Sequence, residues 1–74
     1  MPQRVEIPKG VPVTIQVTNS SSAPIEFESF KLNCERVIKP GRTAAIVFPA
    51  LRAGRYDFYD DFHDDVPEGV IVIR

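Results

Sequence analysis

The chain is poor in the residues that build most recognisable catalytic sites. Its 74 residues include one cysteine, one histidine and no tryptophan. A single cysteine, Cys34, excludes an internal disulfide and a C-x-x-C zinc or redox motif. We interpret it as a small apolar residue and assign it no role. A serine hydrolase would need the one histidine as its base, and the sequence contains no Gly-x-Ser-x-Gly motif.

Long hydrophobic runs and an excess of basic residues are also missing. The longest apolar stretches are too short to span a membrane. The net charge is -1, and no basic stripe is interleaved with aromatic residues. We therefore expect neither membrane insertion nor nucleic-acid binding.

Short apolar segments separated by turn residues make up most of the sequence. Seven prolines and four glycines divide it, and the length suits a single domain over residues 1–74. Side chains alternate with a period of two, so that Ile25 and Phe27 oppose Glu26 and Glu28. Strands are predicted over residues 4–7, 11–18, 25–32, 35–38, 43–48, 55–59 and 70–73.

These seven short strands predict an all-β fold, an antiparallel two-sheet Greek-key sandwich. A barrel of the oligonucleotide-binding type is the alternative. The sequence lacks the basic and aromatic binding face that such barrels usually carry, so we favour the sandwich.

One segment concentrates the acidic charge. Six of the ten acidic residues and the histidine lie between Asp57 and Glu68, with no lysine or arginine among them. Clustered like charges cost electrostatic energy, and a bound cation would offset that cost. The segment therefore predicts a metal site.

The spacing of several residues resembles the cupredoxin pattern over nearly the whole chain. The matching positions are Asn19, Pro24, Pro40-Gly41, Gly54-x-Tyr56-x-Phe58 and Gly69-Val70-x-Val72. The resemblance places Asp60 at the family's copper-binding cysteine and Glu68 at its methionine, and puts Ile25 or Glu26 at its first histidine. Only His63 remains of that ligand set. Blue copper needs a soft thiolate and a thioether, so type-1 copper is not expected.

A divergent branch of that family is more similar. Ile25-Glu26-Phe27-Glu28-Ser29-Phe30, Tyr56-Asp57-Phe58-Tyr59-Asp60 and Phe62-His63 resemble the cupredoxin-like domains that accompany bacterial iron-permease systems. The resemblance implies a periplasmic protein that binds an iron or copper ion and passes iron to a membrane permease or its periplasmic partner protein. A signal peptide is absent from the sequence, and we expect it to have been removed. The resemblance leaves open whether Fe(II) is also oxidised, in a ferroxidase-type activity.

The resemblance also implies which side chains meet. In such a sandwich the loop after Tyr59 closes over the end of the strand that carries Glu26 and Glu28. The candidate metal ligands are then His63, Asp60, Glu26, Glu28, Glu68 and Asp61. One imidazole with several carboxylates suits Fe(II), Fe(III), Mn(II) or Cu(II). We expect a monomer or a weak homodimer.

Each candidate also has a simpler interpretation. Glu26 and Glu28 could be surface residues paired with Lys31, Arg36 or Arg55. Asp64 and Asp65 suit a solvated turn, and Glu68 could cap the turn before Gly69.

Three functions therefore stay open. The first is iron binding for uptake. The second is Cu(II) binding by His63 and carboxylates. The third is a non-catalytic interaction module whose acidic loop binds a basic partner or Ca²⁺.

Overall fold

The structure is a computed structural model that describes residues 4–63 and 65–74, and it confirms the all-β prediction. The strands are β1 (Arg4–Ile7), β2 (Val13–Thr18), β3 (Ile25–Ser29), β4 (Cys34–Ile38), β5 (Thr43–Phe48), β6 (Gly54–Asp60) and β7 (Gly69–Ile73). Within these residues no helix is long and apolar enough to cross a membrane.

Two strands are shorter than the sequence predicts. β2 begins at Val13, because Pro12 has no N–H to donate to a strand ladder. β3 ends at Ser29, because the next four residues form a turn. In that turn Asn33 adopts a positive φ of 51° and its N–H donates to the Phe30 carbonyl at 3.1 Å. The alternation of side chains is right, but the chain reverses earlier than expected.

The strands form two sheets of unequal size. The larger has the order β1-β7-β6-β3-β4, and the smaller pairs β2 with β5. Neighbouring strands are antiparallel except β1 and β7, which run parallel. The first and last strands of the chain can pair in parallel because no hairpin joins them.

The core lies between the sheets and is small. Its buried residues are Val17, Phe27, Ile38, Ile46, Phe58, Ile71 and Ile73. At its centre Phe27 on β3 stacks on Phe58 on β6, with ring centroids 5.2 Å apart. These aromatic residues join neighbouring strands of the larger sheet, and their packing fixes the position of β6 beside β3.

A buried amide organises the loop between β2 and β3. The Asn19 Nδ2 group donates to the carbonyls of Ala23 at 2.8 Å and Ile38 at 2.9 Å. Its Oδ1 atom accepts from the N–H of Ser21 at 2.9 Å and from the hydroxyl of Ser21 at 2.6 Å. Because both amide donors and the acceptor are satisfied, this side chain links the loop to the end of β4 without leaving a buried polar atom unpaired.

Gly69 is required by the packing of Phe58. A Cβ atom at Gly69 would lie well inside van der Waals contact of the buried Phe58 ring. We expect Gly69→Ala to lower the free energy of unfolding by about 1–3 kcal/mol, the usual cost of overpacking a core. Urea unfolding of the single and double variants measures it. The cost should shrink in a Phe58→Leu background, and an equal cost in both backgrounds would rule out this contact as the cause.

Candidate functional site

Strand β3 divides the candidate residues between two faces of the larger sheet. Phe27 pairs with Asp60 on β6, and both side chains are buried under the smaller sheet. The next residue, Glu28, pairs with Tyr59 on β6 and with Glu35 on β4. Since successive side chains of a strand point to opposite faces, Glu28, Tyr59 and Glu35 lie together on the outer face.

Three glutamates form the first group, which we call the glutamate cluster: Glu26, Glu28 and Glu35. One carboxylate oxygen from each lies within 4.8 Å of the others. Glu26 and Glu28 are half-buried and Glu35 is exposed. Like charges directly opposite each other weaken a strand pair, so β3 and β4 hold these residues together against repulsion.

The glutamate cluster retains protons at neutral pH. Partial burial, followed by hydrogen bonding with Glu28 and Asp61, raises the pKa of Glu26 to about 7. Hydrogen bonding with Glu28 also raises the pKa of Glu35 above its ordinary value. Carboxylates this close share protons because they cannot all ionise without strong repulsion.

Tyr59 stabilises the ionised form of one member of the cluster. Its hydroxyl donates to Oε2 of Glu28. This hydrogen bond is the main cause that lowers the pKa of Glu28 and raises the pKa of Tyr59 to about 12. At neutral pH the phenol therefore remains a donor and Glu28 remains a carboxylate.

The second group lines a cleft of about 220 Å³ at one end of the sandwich, which we call the His63 cleft. Its lining residues are Tyr59, Asp60, His63, Val66 and Glu68. Nε2 of His63 lies 3.1 Å from the Pro24 carbonyl oxygen and 3.8 Å from Oδ2 of Asp60. A carbonyl oxygen can only accept, so Nε2 carries the proton in the neutral ring and Nδ1 is the nitrogen with a free lone pair.

Asp60 fixes the start of the acidic loop. Its side chain is buried, and Oδ1 accepts from the N–H of Glu26 at 2.9 Å and from the N–H of Phe62 at 3.1 Å. The Asp60 carbonyl accepts from the N–H of His63 at 3.1 Å. One carboxylate oxygen thus holds the backbone, which leaves Oδ2 to face His63.

The six predicted ligands therefore fall into two groups. Asp60, His63 and Glu68 line the His63 cleft, and Glu26 and Glu28 lie in the glutamate cluster. Asp61 lies beside the cluster, since its N–H donates to the Glu26 carbonyl at 3.0 Å. Tyr59 lies between the groups, because it lines the cleft and also donates to Glu28. Metal ligation by the six stays a prediction.

The proposed surface ion pairs are not seen. Within residues 4–63 and 65–74, neither Glu26 nor Glu28 forms an ion pair with Lys31, Arg36 or Arg55. Instead, the ammonium group of Lys31 donates to the Arg55 carbonyl at 2.9 Å. Asp65 is exposed, as a solvated turn predicts, and Asp64 lies outside the described residues.

Sequence reasoning missed Glu35 as a member of the cluster. A short turn between the predicted third and fourth strands was the available signal. If those strands form a hairpin, residues equally far from the turn face each other, and Glu28 and Glu35 are such a pair.

Comparisons with known proteins agree with the fold. A family model described as a cupredoxin-like domain matches residues 1–73. An uncharacterized protein of Rickettsia prowazekii is 32% identical over 74 residues, and the chain spans 59% of that relative's length. The solved structure of a purple cupredoxin from Nitrosopumilus maritimus is 24% identical, with a TM-score of 0.73 over 99% of this chain and 79% of that one. At this identity the solved structure supports the fold alone.

The residues present do not fit a thiolate copper centre. Asp60 occupies the position at which the sequence pattern places the copper-binding cysteine, and its carboxylate already holds two backbone N–H groups. Cys34 lies on β4 opposite Ser29, far along the strand from the His63 cleft. Partial burial raises the pKa of the Cys34 thiol and so disfavours the thiolate that copper would need. The donor set instead fits a cation that accepts oxygen and imidazole ligands.

The structural role of Asp60 can be separated from its charge. Asp60→Ala leaves the N–H groups of Glu26 and Phe62 without their acceptor, so we expect a loss of about 1–3 kcal/mol in the free energy of unfolding. Asp60→Asn keeps an acceptor oxygen and should cost clearly less. Urea unfolding of both variants tests this, and equal costs would show that the negative charge, rather than the hydrogen bonding, is what matters.

The protonation of Glu26 gives a pH signature. Because its pKa in the folded state, about 7, exceeds its ordinary value of 4.5, protonated Glu26 stabilises the fold. That contribution is fully present below about pH 4.5 and is lost as the pH rises through 7. We expect a carboxyl ¹³C titration midpoint near 7 for Glu26, lowered by Glu35→Gln and unaffected by the distant Glu6→Gln. A midpoint at the ordinary value would contradict the described packing.

Proposed function

Because the chain belongs to the cupredoxin-like domain family, we propose that it binds a metal cation through carboxylates in place of a thiolate. The glutamate cluster is the principal site in this proposal. One observation carries it: oxygens of Glu26, Glu28 and Glu35 converge within 4.8 Å on two adjacent strands. Membership of a metal-binding fold family gives this convergence a function that an isolated acidic patch would lack.

The cluster suits a hard cation. Three carboxylates supply only oxygen ligands, which favour Fe(III), Fe(II) and Mn(II) over Cu(I). A cation entering the cluster replaces the protons that Glu26 and Glu35 retain, so affinity should rise as the pH increases through 7. Two of the three ligands lie on β3 and one on β4, and paired strands position ligands more rigidly than loops do.

The His63 cleft supports a second candidate function, the binding of Cu(II). The contact with the Pro24 carbonyl leaves Nδ1 of His63 as the free ring nitrogen, and Asp60 and Glu68 line the same cleft. Imidazole with carboxylates is a borderline ligand set that accepts Cu(II). Family membership is compatible with copper at this position.

We further propose that the cation is iron and that the chain acts in iron uptake in the periplasm. The resemblance to domains that accompany bacterial iron permeases supports this, as does the hard ligand set of the cluster. Its partner would then be a membrane iron permease or that permease's periplasmic partner protein. Carboxylates stabilise Fe(III) over Fe(II), so a ferroxidase-type reaction is consistent with the site. Each Fe(II) would give up one electron, and dioxygen would take up four electrons and four protons to form water.

Calorimetric titration of the purified chain tests the metal proposal. Fe(II) without oxygen, Mn(II), Cu(II) and Ca(II) are each added to the unmodified chain and to Glu35→Gln, His63→Ala and Glu6→Gln. We expect Glu35→Gln to weaken Fe(II) and Mn(II) binding by tenfold or more, roughly the loss of one charged ligand. Glu6→Gln, which alters an exposed acid on β1, should leave it unchanged.

The variants separate the candidate functions. Loss of binding in His63→Ala alone would move the site to the His63 cleft. Binding that ignores both Glu35 and His63 would overturn the metal proposal and leave a module whose acidic surface binds a basic partner. Cu(II) bound to any of these proteins should lack the intense thiolate charge-transfer band, and such a band would contradict the exclusion of Cys34.

A further inference from the structure

An apolar groove opens beside strand β2, on the side away from both candidate sites. Its volume is about 470 Å³. Residues from four strands of the larger sheet and from β2 line it, among them Val5, Ile7, Ile15, Val17, Ile25 and Phe27. None of its lining residues, among the part of the chain that the structure describes, comes from β5. The groove therefore opens along the edge of β2 that faces away from β5.

The unequal size of the sheets explains this groove. Two strands face five, and neighbouring strands of a sheet lie only about 4.8 Å apart. The smaller sheet therefore cannot cover the inner face that β1 and β7 add to the larger one. Part of the apolar surface of Val5 and Ile7 consequently borders the groove.

The edge of β2 offers main-chain hydrogen bonds beside this groove. Among residues 4–63 and 65–74, β2 pairs with β5 alone. A strand with one unpaired edge presents alternate N–H and carbonyl groups along that edge. An occupant must therefore supply apolar side chains for the groove and, at the same time, main-chain partners for β2.

The edge also lacks the features with which proteins usually block strand pairing. β2 contains no charged residue, no proline and no glycine, although 26% of the chain is charged. By contrast, the edge strand β1 carries Arg4 and Glu6, and the edge strand β4 carries Glu35 and Arg36. β5 is uncharged too, but it contacts β4. Charged edges disfavour pairing, and β2 lacks this protection.

We propose that β2 is a docking edge for an extended, uncharged strand from another polypeptide. The added strand continues the β2–β5 ladder and places every second side chain, small and apolar, in the groove beside Ile15 and Val17. Main-chain pairing gives the affinity and the groove gives the specificity, as in other cases of strand addition. The uncharged edge selects an uncharged segment. This inference is independent of the metal proposal.

Amide hydrogen exchange with a designed peptide tests the proposal. The probe is a capped hexapeptide of alternating valine and threonine, followed by two lysines for solubility. We expect it to slow exchange at the outward amides of β2, by about tenfold when the free peptide is ten times its dissociation constant. Amides on the open edge of β4 serve as the internal control and should not change.

Two N-methylated peptides distinguish strand pairing from simple hydrophobic contact. Methylating the valine amides blocks one edge of the peptide, and methylating the threonine amides blocks the other. Pairing with β2 uses one edge, so only one analogue should lose binding. On the protein side, Ile15→Thr should weaken binding because Ile15 lines the groove, whereas Thr14→Ser, on the exposed face, should not.

Three results would overturn the proposal. The first is unchanged β2 exchange at saturating peptide solubility. The second is equal binding of both methylated peptides, which would indicate greasy contact without pairing. The third is a dimer in solution whose β2 amides are protected without any peptide, because a second copy of the chain would then occupy the edge.

Discussion

The period-two alternation along β3 is the constraint on which both the core and the candidate sites depend. Phe27 and Ser29 point inward, and Glu26 and Glu28 point outward. A shift of one residue in register would expose the phenylalanine and drive two carboxylates into the apolar interior. Because β3 lies between β4 and β6, its register also places Glu35, Tyr59 and Asp60. The packing of a few apolar side chains therefore fixes the geometry of the acidic ones.

The glutamate cluster is a local cost that the rest of the fold sustains. Carboxylates on adjacent strands repel each other, and the chain reduces that repulsion with shared protons and with the hydroxyl of Tyr59. Nothing in the packing of a sandwich requires three glutamates at these positions. Sites that oppose folding but are kept in place by a well-packed core are common where proteins bind ligands.

The sequence predicts the strands and their faces better than it predicts which side chains meet. Alternation alone assigns Glu26 and Glu28 to one face, and Pro12 and the turn after Ser29 explain the errors in strand length. The grouping of His63 with Asp60 depends on a turn, and its orientation depends on the carbonyl of Pro24, 39 residues away. Glu35 joins the cluster through strand pairing. Such contacts arise from pairing between distant segments, which local periodicity does not encode.

The parallel pairing of β1 with β7 has a consequence for how the chain acquires its structure. The first strand of the sheet has its only partner in the last one, where Arg4 pairs with Val70 and Ile7 with Ile73. Closing so long a loop costs entropy before it gains contacts, which slows folding. On the ribosome, β1 and the apolar face of β6 must wait for β7 to emerge. The domain should therefore complete its folding late and cooperatively, once synthesis is nearly finished.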